Sequence, residues 1–213
     1  MKFDKHHLLL YAVTDRSWLG ERTLAWQVEQ ALKGGVTMVQ LREKHLDRAA
    51  FRTEALELQA LCRQYGVPFL INDDVELALE IGADGVHVGQ DDLEAGQARA
   101  KLGPDRIVGV SAHSVEEALR AQAAGADYLG AGAVFPTGTK GDASGLPLST
   151  LKEICCTVDI PVVAIGGIGP GNIGQLKGSG AAGAAVVSAI FAQPDPEGAA
   201  RTLRTLSGEM TGL

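Results

Sequence analysis

Short apolar runs alternate with longer amphipathic stretches along the chain, and most of the amphipathic stretches end in glycine. The unit recurs roughly every 25 residues, and an apolar run followed by a helical period is typical of the strand–helix units of parallel sheets. The pattern predicts eight strands, at residues 8–14, 36–44, 67–71, 84–88, 107–110, 127–129, 161–165 and 184–187. It predicts helices at residues 24–32, 49–65, 75–81, 93–102, 115–124, 149–157, 172–177 and 197–206.

Eight strand–helix units without a break in composition favour an α/β fold, a single (β/α)₈ TIM barrel over residues 1–213. The alternative is an open doubly wound sheet, which usually has about five or six strands. No linker or low-complexity segment indicates a second domain.

Composition narrows the class of protein. Hydrophobic residues make up 46% of the 213 residues and charged residues 21%, as in ordinary globular proteins. The net charge of −7 argues against a general nucleic-acid or anionic-membrane surface. Three cysteines without metal-ligand spacing fit a reducing cytoplasm, and the apolar run near the N-terminus is too short for a membrane span. We expect a cytoplasmic protein with no nucleic-acid or membrane partner, and a homo-oligomer stays open.

Residues 37–44, with the sequence TMVQLREK, have a cationic end. In a strand, Gln40, Arg42 and Lys44 share one face with Met38, while the residues between them point to the opposite face. Parallel barrels bind ligands at the carboxyl ends of their strands, so the polar row indicates an anion site. A solvated strand end explains this stretch alone equally well.

Carboxylates follow the third and fourth predicted strands. Asn72, Asp73 and Asp74 come after one strand, and Asp91 and Asp92 come after the next. Oxygen ligands from neighbouring strands suit Mg²⁺, which takes one or two carboxylates together with phosphates and waters. We favour Asp73 and Asp92 as metal ligands, and Asp74 and Asp91 as helix caps or ion-pair partners.

Two further strand ends carry polar groups. Ser111 follows the fifth strand and can hydrogen-bond a ligand in the barrel mouth, although a helix cap is the alternative. The loop at residues 133–146 contains Thr137, Thr139 and Lys140 among glycines, a composition that suits an anion-binding lid. An exposed, turn-rich loop has the same composition, so this loop decides nothing by itself.

The seventh and eighth strands end in Gly166-Gly167 and in Val187-Ser188. The corresponding loops of many barrels bind phosphate through backbone N–H groups and the start of a short helix. The mouth thus has a metal-assisted cationic site that fits a diphosphate, and a second site that fits a monophosphate. The pattern predicts two phosphorylated substrates, one of which leaves as diphosphate.

Eight motifs in order extend this prediction. They are YAVTDR, GGVTMVQLREK, LINDDVELAL, GADGVHVGQDDL, GVSAHSVEEA, GADYLGAGAVFPTGTK, PVVAIGGI and VVSAI, and they span residues 10–190. Each is weak alone, but the ordered set resembles the thiamine-phosphate synthase family. The resemblance implies a transferase that condenses 4-amino-2-methyl-5-hydroxymethylpyrimidine diphosphate with 4-methyl-5-(2-phosphoethyl)thiazole and releases pyrophosphate with Mg²⁺.

The resemblance also implies roles for individual residues. The pyrimidine diphosphate would be held by Gln40, Arg42, Lys44 and Asn72, with Ser111 and Lys140 on the pyrimidine and its diphosphate. The thiazole phosphate would be held by Thr137, Thr139, Gly167, Val187 and Ser188. Mg²⁺ would bind Asp73 and Asp92. Catalysis would rest on charge stabilisation and positioning by Arg42, Lys44, Ser111 and Lys140, without a protein nucleophile.

Two departures from the family pattern stand out. Asp74 stands where many relatives carry arginine, and Ala182-Gly183 stands where relatives often have Asp-Gly. The first makes the rim more acidic, and the second is expected to be structural only. A paralogous thiazole tautomerase and a non-catalytic phosphate-ligand binder are the alternatives. Both are disfavoured because the full set of cations and carboxylates is present.

Overall fold

Eight parallel strands form a closed barrel in the computed structural model, which describes residues 3–89, 95–137 and 145–213. Each strand pairs with the next in sequence, and the eighth pairs with the first. The strands are β1 (Leu10–Val13), β2 (Met38–Leu41), β3 (Phe69–Asn72), β4 (Gly85–Val88), β5 (Ile107–Ala112), β6 (Tyr128–Gly132), β7 (Val162–Ile165) and β8 (Gly183–Val186). The predicted TIM-barrel fold is therefore confirmed.

Helices follow the strands and cover the outside of the barrel. They are α1 (Leu24–Lys33), α2 (Arg48–Tyr65), α3 (Val75–Ile81), α4 (Ala95–Leu102), α5 (Val115–Ala123), α6 (Leu148–Thr157), α7 (Ser188–Phe191) and α8 (Pro196–Thr211). Short 3₁₀ helices lie at Lys5–Leu8, Arg16–Trp18 and Ile173–Leu176. The side chains of Thr23, Asp47 and Ser114 accept hydrogen bonds from the first turns of the helices that follow them.

Several predicted elements differ from the observed ones. The helix predicted at residues 172–177 is a 3₁₀ helix at Ile173–Leu176, in a segment where Gly171, Gly174 and Gly178 lower helix propensity. The last helix extends to Thr211, well beyond residue 206. Strand β2 ends at Leu41 instead of continuing to residue 44. The predicted start of α4 at residues 93–94 lies outside the described residues.

The core has two layers, as the alternation in β2 predicts. Val39 and Leu41 point outward and pack among the helices, whereas Met38 points into the barrel. The interior cluster also contains Tyr11 and Tyr128. This arrangement confirms which face of β2 lines the barrel, and therefore which side chains can reach its mouth.

The cysteines are free thiols, which agrees with the prediction that they form no disulfide framework. Burial raises the pKa of Cys62 to about 12 and that of Cys155 to about 11. In the described ranges, no helix combines the length and the apolar character needed to cross a bilayer.

Candidate active site

Thr14 joins the ends of β1 and β2 and fixes the backbone of Arg42. The N–H of Thr14 donates to the carbonyl oxygen of Gln40 at 3.0 Å, and the N–H of Arg42 donates to the buried Thr14 hydroxyl at 3.0 Å. Arg42 thus starts a loop at the carboxyl end of β2. Among residues 3–89, 95–137 and 145–213, the guanidinium of Arg42 has no hydrogen-bond or ion-pair partner, so its donors can serve an anion.

Glu43 holds the loop that carries Lys44. One carboxylate oxygen of Glu43 accepts from Nε of Arg16 at 2.5 Å, and the other accepts from the N–H groups of Lys44 and His45, each at 2.8 Å. Burial alone would raise the pKa of Glu43, but hydrogen bonds from Arg16 and these two N–H groups outweigh it and lower the pKa. Because Arg16 also binds Glu54 at 2.7 Å, the loop is tied to α2. This arrangement explains why the chain leaves the strand after Leu41.

Lys44 meets the end of β3 through Asp73. Its Nζ lies 2.6 Å from Oδ2 of Asp73, while Nδ2 of Asn72 donates to Oδ1 of Asp73 at 2.7 Å and to the carbonyl oxygen of His87 at 3.1 Å. The Lys44 side chain is 45% exposed, and ion pairs at such sites contribute at most about 1 kcal/mol. The pair can therefore exchange its partners for a ligand or a metal ion at little cost.

Asp73 has a left-handed backbone, with φ of 64°, and it is the one non-glycine residue with positive φ in the described part of the chain. Its N–H still donates to the carbonyl oxygen of His87 at 2.9 Å, which continues the pairing of β3 with β4. Aspartate and asparagine tolerate this conformation better than most residues. The conformation breaks the strand directly after Asn72 and begins the turn into α3.

Asp74 stabilises the start of helix α3 and the contact of this turn with α2. Its Oδ1 accepts from the N–H of Leu77 at 2.7 Å, so it caps α3, and its Oδ2 pairs with Arg48 of α2. Arg48 also binds Glu80 at 3.0 Å. The prediction of Asp74 as a cap and ion-pair partner is confirmed. Asp91 and Asp92 lie outside the described residues.

A chain of hydrogen bonds crosses the barrel below the mouth. Nε2 of Gln40 donates to the hydroxyl of Tyr11 at 2.5 Å, and this hydroxyl lies 2.9 Å from that of Tyr128. The Tyr128 hydroxyl lies 2.9 Å from Nδ1 of His87, whose Nε2 lies 3.0 Å from Oγ of Ser111. Gln40 and Ser111 are both predicted site residues, and His87 is a buried residue of β4 that connects Tyr128 to Ser111. The two tyrosines could not be singled out from the sequence, because inward aromatic residues are common in barrel cores.

The loop after β7 begins with two glycines, and a short helix begins just after β8. Gly166 and Gly167 both have positive φ, and a side chain on Gly167 would lie 2.4 Å from the carbonyl oxygen of Pro136. Glycine is therefore required for the close approach of this turn to the loop after β6. Val187 occupies the N-cap position of α7 and gives its first turn no side-chain hydrogen bond. Ser188 follows it and is exposed.

The structure therefore brings the predicted residues to one end of the barrel in two groups. One group lies at the ends of β2, β3 and β5, and the other at the ends of β7 and β8. In the closed ring, β3 lies opposite β7, so the two groups face each other across the mouth. Thr137 is half-buried just after β6. Thr139 and Lys140 fall outside the described residues.

Comparisons with known proteins agree with this arrangement. A family model described as thiamine monophosphate synthase matches residues 10–190. The thiamine-phosphate synthase of Desulfitobacterium hafniense (strain Y51) is 49% identical over 198 residues, covering 92% of this chain and 96% of the relative. That of Ruminiclostridium cellulolyticum is 50% identical over 194 residues, covering 91% of this chain and 92% of the relative.

A solved structure gives the same result for the fold. Thiamine phosphate pyrophosphorylase from Pyrococcus furiosus superimposes with a TM-score of 0.90 at 39% identity, covering 97% of this chain and 98% of that one. The resemblance read from the eight motifs is confirmed over the same residues, 10–190. The chain therefore belongs to the thiamine monophosphate synthase family.

Proposed function

We propose that this chain condenses 4-amino-2-methyl-5-hydroxymethylpyrimidine diphosphate with 4-methyl-5-(2-phosphoethyl)thiazole, giving thiamine phosphate and pyrophosphate. As a member of its family the chain is a transferase. The observation that carries the proposal is the pair of facing groups at the mouth. One supplies cations and a carboxylate, and the other supplies glycine-rich strand ends.

The cationic group would bind the diphosphate. Within the described part of the chain the Arg42 guanidinium is unengaged, and the Lys44 backbone is held in place through the Glu43 carboxylate. These cations, with Lys140, would stabilise the negative charge that develops when the bond between the pyrimidine methylene carbon and the diphosphate oxygen breaks. The electron pair leaves with the oxygen, and the thiazole nitrogen then supplies the pair for the new carbon–nitrogen bond.

The remaining residues would position the two substrates. Gln40, Asn72 and Ser111 would hold the pyrimidine diphosphate from the ends of β2, β3 and β5. The thiazole phosphate would be bound by Thr137, Thr139, Gly167, Val187 and Ser188. Positioning of this kind brings the nitrogen close to the methylene carbon and needs no protein nucleophile.

The residues at the end of β3 fit Mg²⁺. Asp73 offers carboxylate oxygens and Asn72 an amide oxygen, which are the hard ligands that this ion prefers. The described residues contain no cluster of three or more histidine, cysteine, aspartate or glutamate side chains, but Mg²⁺ commonly uses only one or two carboxylates with phosphates and waters. Asp73 would hold the ion together with Asp92. When bound, Mg²⁺ would neutralise part of the diphosphate charge.

The proposal includes a setting for the enzyme. Its partners are small phosphorylated molecules, since the net charge of −7 disfavours nucleic acid and anionic membranes. The free thiols fit the cytoplasm. The proposal assigns this function to a single domain over residues 1–213.

The test is pyrophosphate release by the purified protein, measured with each substrate alone and with both, in the presence and absence of Mg²⁺. Release that requires both substrates and the ion supports the proposal. A folded protein that releases no pyrophosphate under any condition would refute it and would favour the thiazole tautomerase or a phosphate-ligand binder. Of these, only the tautomerase would turn over its thiazole substrate, and it would do so without Mg²⁺.

Adjacent carboxylates provide a matched pair of variants for the metal site. Asp73→Asn should reduce turnover strongly, and excess Mg²⁺ should restore part of it. Asp74→Asn keeps a good helix cap and should leave both turnover and its Mg²⁺ dependence close to those of the wild type. Equal losses in the two variants would remove Asp73 from the proposed ligands.

A further inference from the structure

The chain of hydrogen bonds inside the barrel has Tyr128 at its centre. Its hydroxyl contacts the Tyr11 hydroxyl on one side and Nδ1 of His87 on the other, both at 2.9 Å. Tyr128 is completely buried, and Tyr11 is only 1% exposed. Removing the Tyr128 hydroxyl would interrupt this series of hydrogen bonds. The O–H of Tyr11 and Nδ1 of His87 would each lose a buried partner.

The hydrogen bonds can run in one consistent direction. Gln40 donates through Nε2 and so cannot accept from Tyr11, which leaves the Tyr128 oxygen as the acceptor that the described residues offer for the Tyr11 proton. Tyr128 then donates to Nδ1 of His87, and Nε2 of His87 must carry the proton that it donates to Ser111. Burial raises the pKa of both tyrosines, so each hydroxyl keeps the proton that this direction requires.

The direction of these hydrogen bonds determines which groups Gln40 and Ser111, at the two ends of the series, can offer to a ligand. At one end, the side-chain oxygen of Gln40 has no hydrogen-bond partner among the residues described, so it can accept from a ligand. At the other end, Ser111 accepts from His87 and therefore has its own O–H free to donate. An aminopyrimidine ring carries the complementary pair, an amino group that donates and ring nitrogens that accept.

Two glycines make room for the rings of Tyr128 and His87. A side chain on Gly109 would lie 2.1 Å from Cζ and 2.3 Å from the hydroxyl oxygen of Tyr128. A side chain on Gly130 would lie 3.0 Å from Cε1 of His87. Phe3 stacks on the Tyr128 ring, with centroids 5.7 Å apart. The position of the hydroxyl is therefore set by packing on several sides, which is what a group that orients others requires.

We propose that Tyr128 is a positioning residue for the pyrimidine: its hydroxyl holds His87 in the Nε2–H tautomer, so that Gln40 presents an acceptor and Ser111 a donor. Tyr128 lies below the mouth and acts through its neighbours. The inference rests on the proposed function for the identity of the ligand, and on the hydrogen-bond geometry for the tautomer. These two parts can be tested separately.

The first test is ¹⁵N NMR of the histidine side chains in the wild-type protein, with the His87 signals assigned by their loss in His87→Gln. We expect a protonated Nε2 and an unprotonated Nδ1 at neutral pH. Tyr128→Phe should shift the Nδ1 resonance and give a mixture of tautomers. An Nδ1–H tautomer or an exchanging mixture in the wild type would overturn the proposal, whether or not the protein has activity.

The second test is steady-state kinetics of Tyr128→Phe. Tyr65→Phe is the matched control, because Tyr65 is an exposed tyrosine that takes no part in the hydrogen bonds inside the barrel. We expect KM for the pyrimidine diphosphate to rise about tenfold, the effect of one buried hydrogen bond, with KM for the thiazole phosphate within about twofold. An unchanged KM, or an equal rise for both substrates, would overturn the inference. If Tyr128→Phe does not fold, the ¹⁵N measurement on the wild-type protein still decides the tautomer of His87. Lack of turnover by the wild type would instead refute the proposed function.

Discussion

Gly109→Ala is the most informative single perturbation of the barrel interior. The added methyl group would lie 2.1 Å from Cζ, 2.3 Å from the hydroxyl oxygen and 2.4 Å from Cε1 of Tyr128. Nonbonded carbon atoms pack at about 3.5–4.0 Å, so the ring must move by roughly 1.5 Å. A shift of this size breaks both 2.9 Å hydrogen bonds of the Tyr128 hydroxyl.

The cost of this substitution follows from the contacts. Overpacking a core costs about 1–3 kcal/mol, and each lost hydrogen bond costs about 1 kcal/mol. The free energy of unfolding should therefore fall by about 3–5 kcal/mol, against a typical total of about 5–15 kcal/mol. For a chain of 213 residues, the melting temperature should fall by about 10 °C, since 1 kcal/mol corresponds to about 2–4 °C.

Thermal unfolding followed by circular dichroism measures this effect, and a double-mutant cycle identifies its cause. In a Tyr128→Leu background the ring is absent, so Gly109→Ala should cost at least about 1 kcal/mol less than in the wild type. Gly171→Ala is the control, because a side chain there meets nothing within 4 Å. A fall in melting temperature no larger than that of the control, or an equal cost in both backgrounds, would refute the reasoning.

Three further predictions concern charge and helix stability. Glu43→Gln should lower the free energy of unfolding by about 1–2 kcal/mol at pH 7, because Arg16 loses a buried partner. Because folding lowers the pKa of Glu43, the difference in unfolding free energy between wild type and variant should vanish as pH falls through the folded-state pKa. Urea denaturation at a series of pH values measures this difference. A difference that persists at low pH would mean that the Glu43 carboxylate is not its source. Burial lowers the pKa of His7, and its Nδ1 accepts from the N–H of Asp4 at 3.1 Å, so wild-type stability should be full above pH 6.5 and fall below it. His7→Gln should reduce this loss when melting temperatures at pH 7.5 and 5.5 are compared, and an unchanged loss would point to another group. Gly96→Ala should stabilise α4 by about 0.5 kcal/mol, because a methyl group there meets nothing closer than 3.9 Å, whereas destabilisation would mean a close contact.

The fold could be predicted because each unit carries its own local signals. Apolar runs, capping side chains and terminal glycines place most elements within a few residues, and α3 (Val75–Ile81) has the predicted boundaries. The end of β2 could not be predicted, because it depends on Glu43 meeting Arg16, which lies 27 residues earlier. Without knowledge of that contact, a charged residue at a strand end looks like any solvent-exposed residue.

The site could be predicted only at its strand ends. Parallel strands of a barrel all end on one side, so polar residues at those ends must gather at the mouth. The series of hydrogen bonds inside the barrel could not be predicted in this way. Tyr11 and Tyr128 are 117 residues apart, and each alone resembles a core aromatic residue. The left-handed backbone of Asp73 was equally hidden, since aspartate is common in ordinary turns.

That left-handed backbone restricts what position 73 can accept during evolution or engineering. Backbone strain of about 1 kcal/mol or more excludes most side chains there and leaves glycine, asparagine and aspartate as the tolerant set. Of these three, only aspartate carries the negative charge that pairs with Lys44. Conformation and charge together therefore select aspartate at this position. A glutamate, although it keeps the charge, should be a poorer replacement than its chemistry alone suggests.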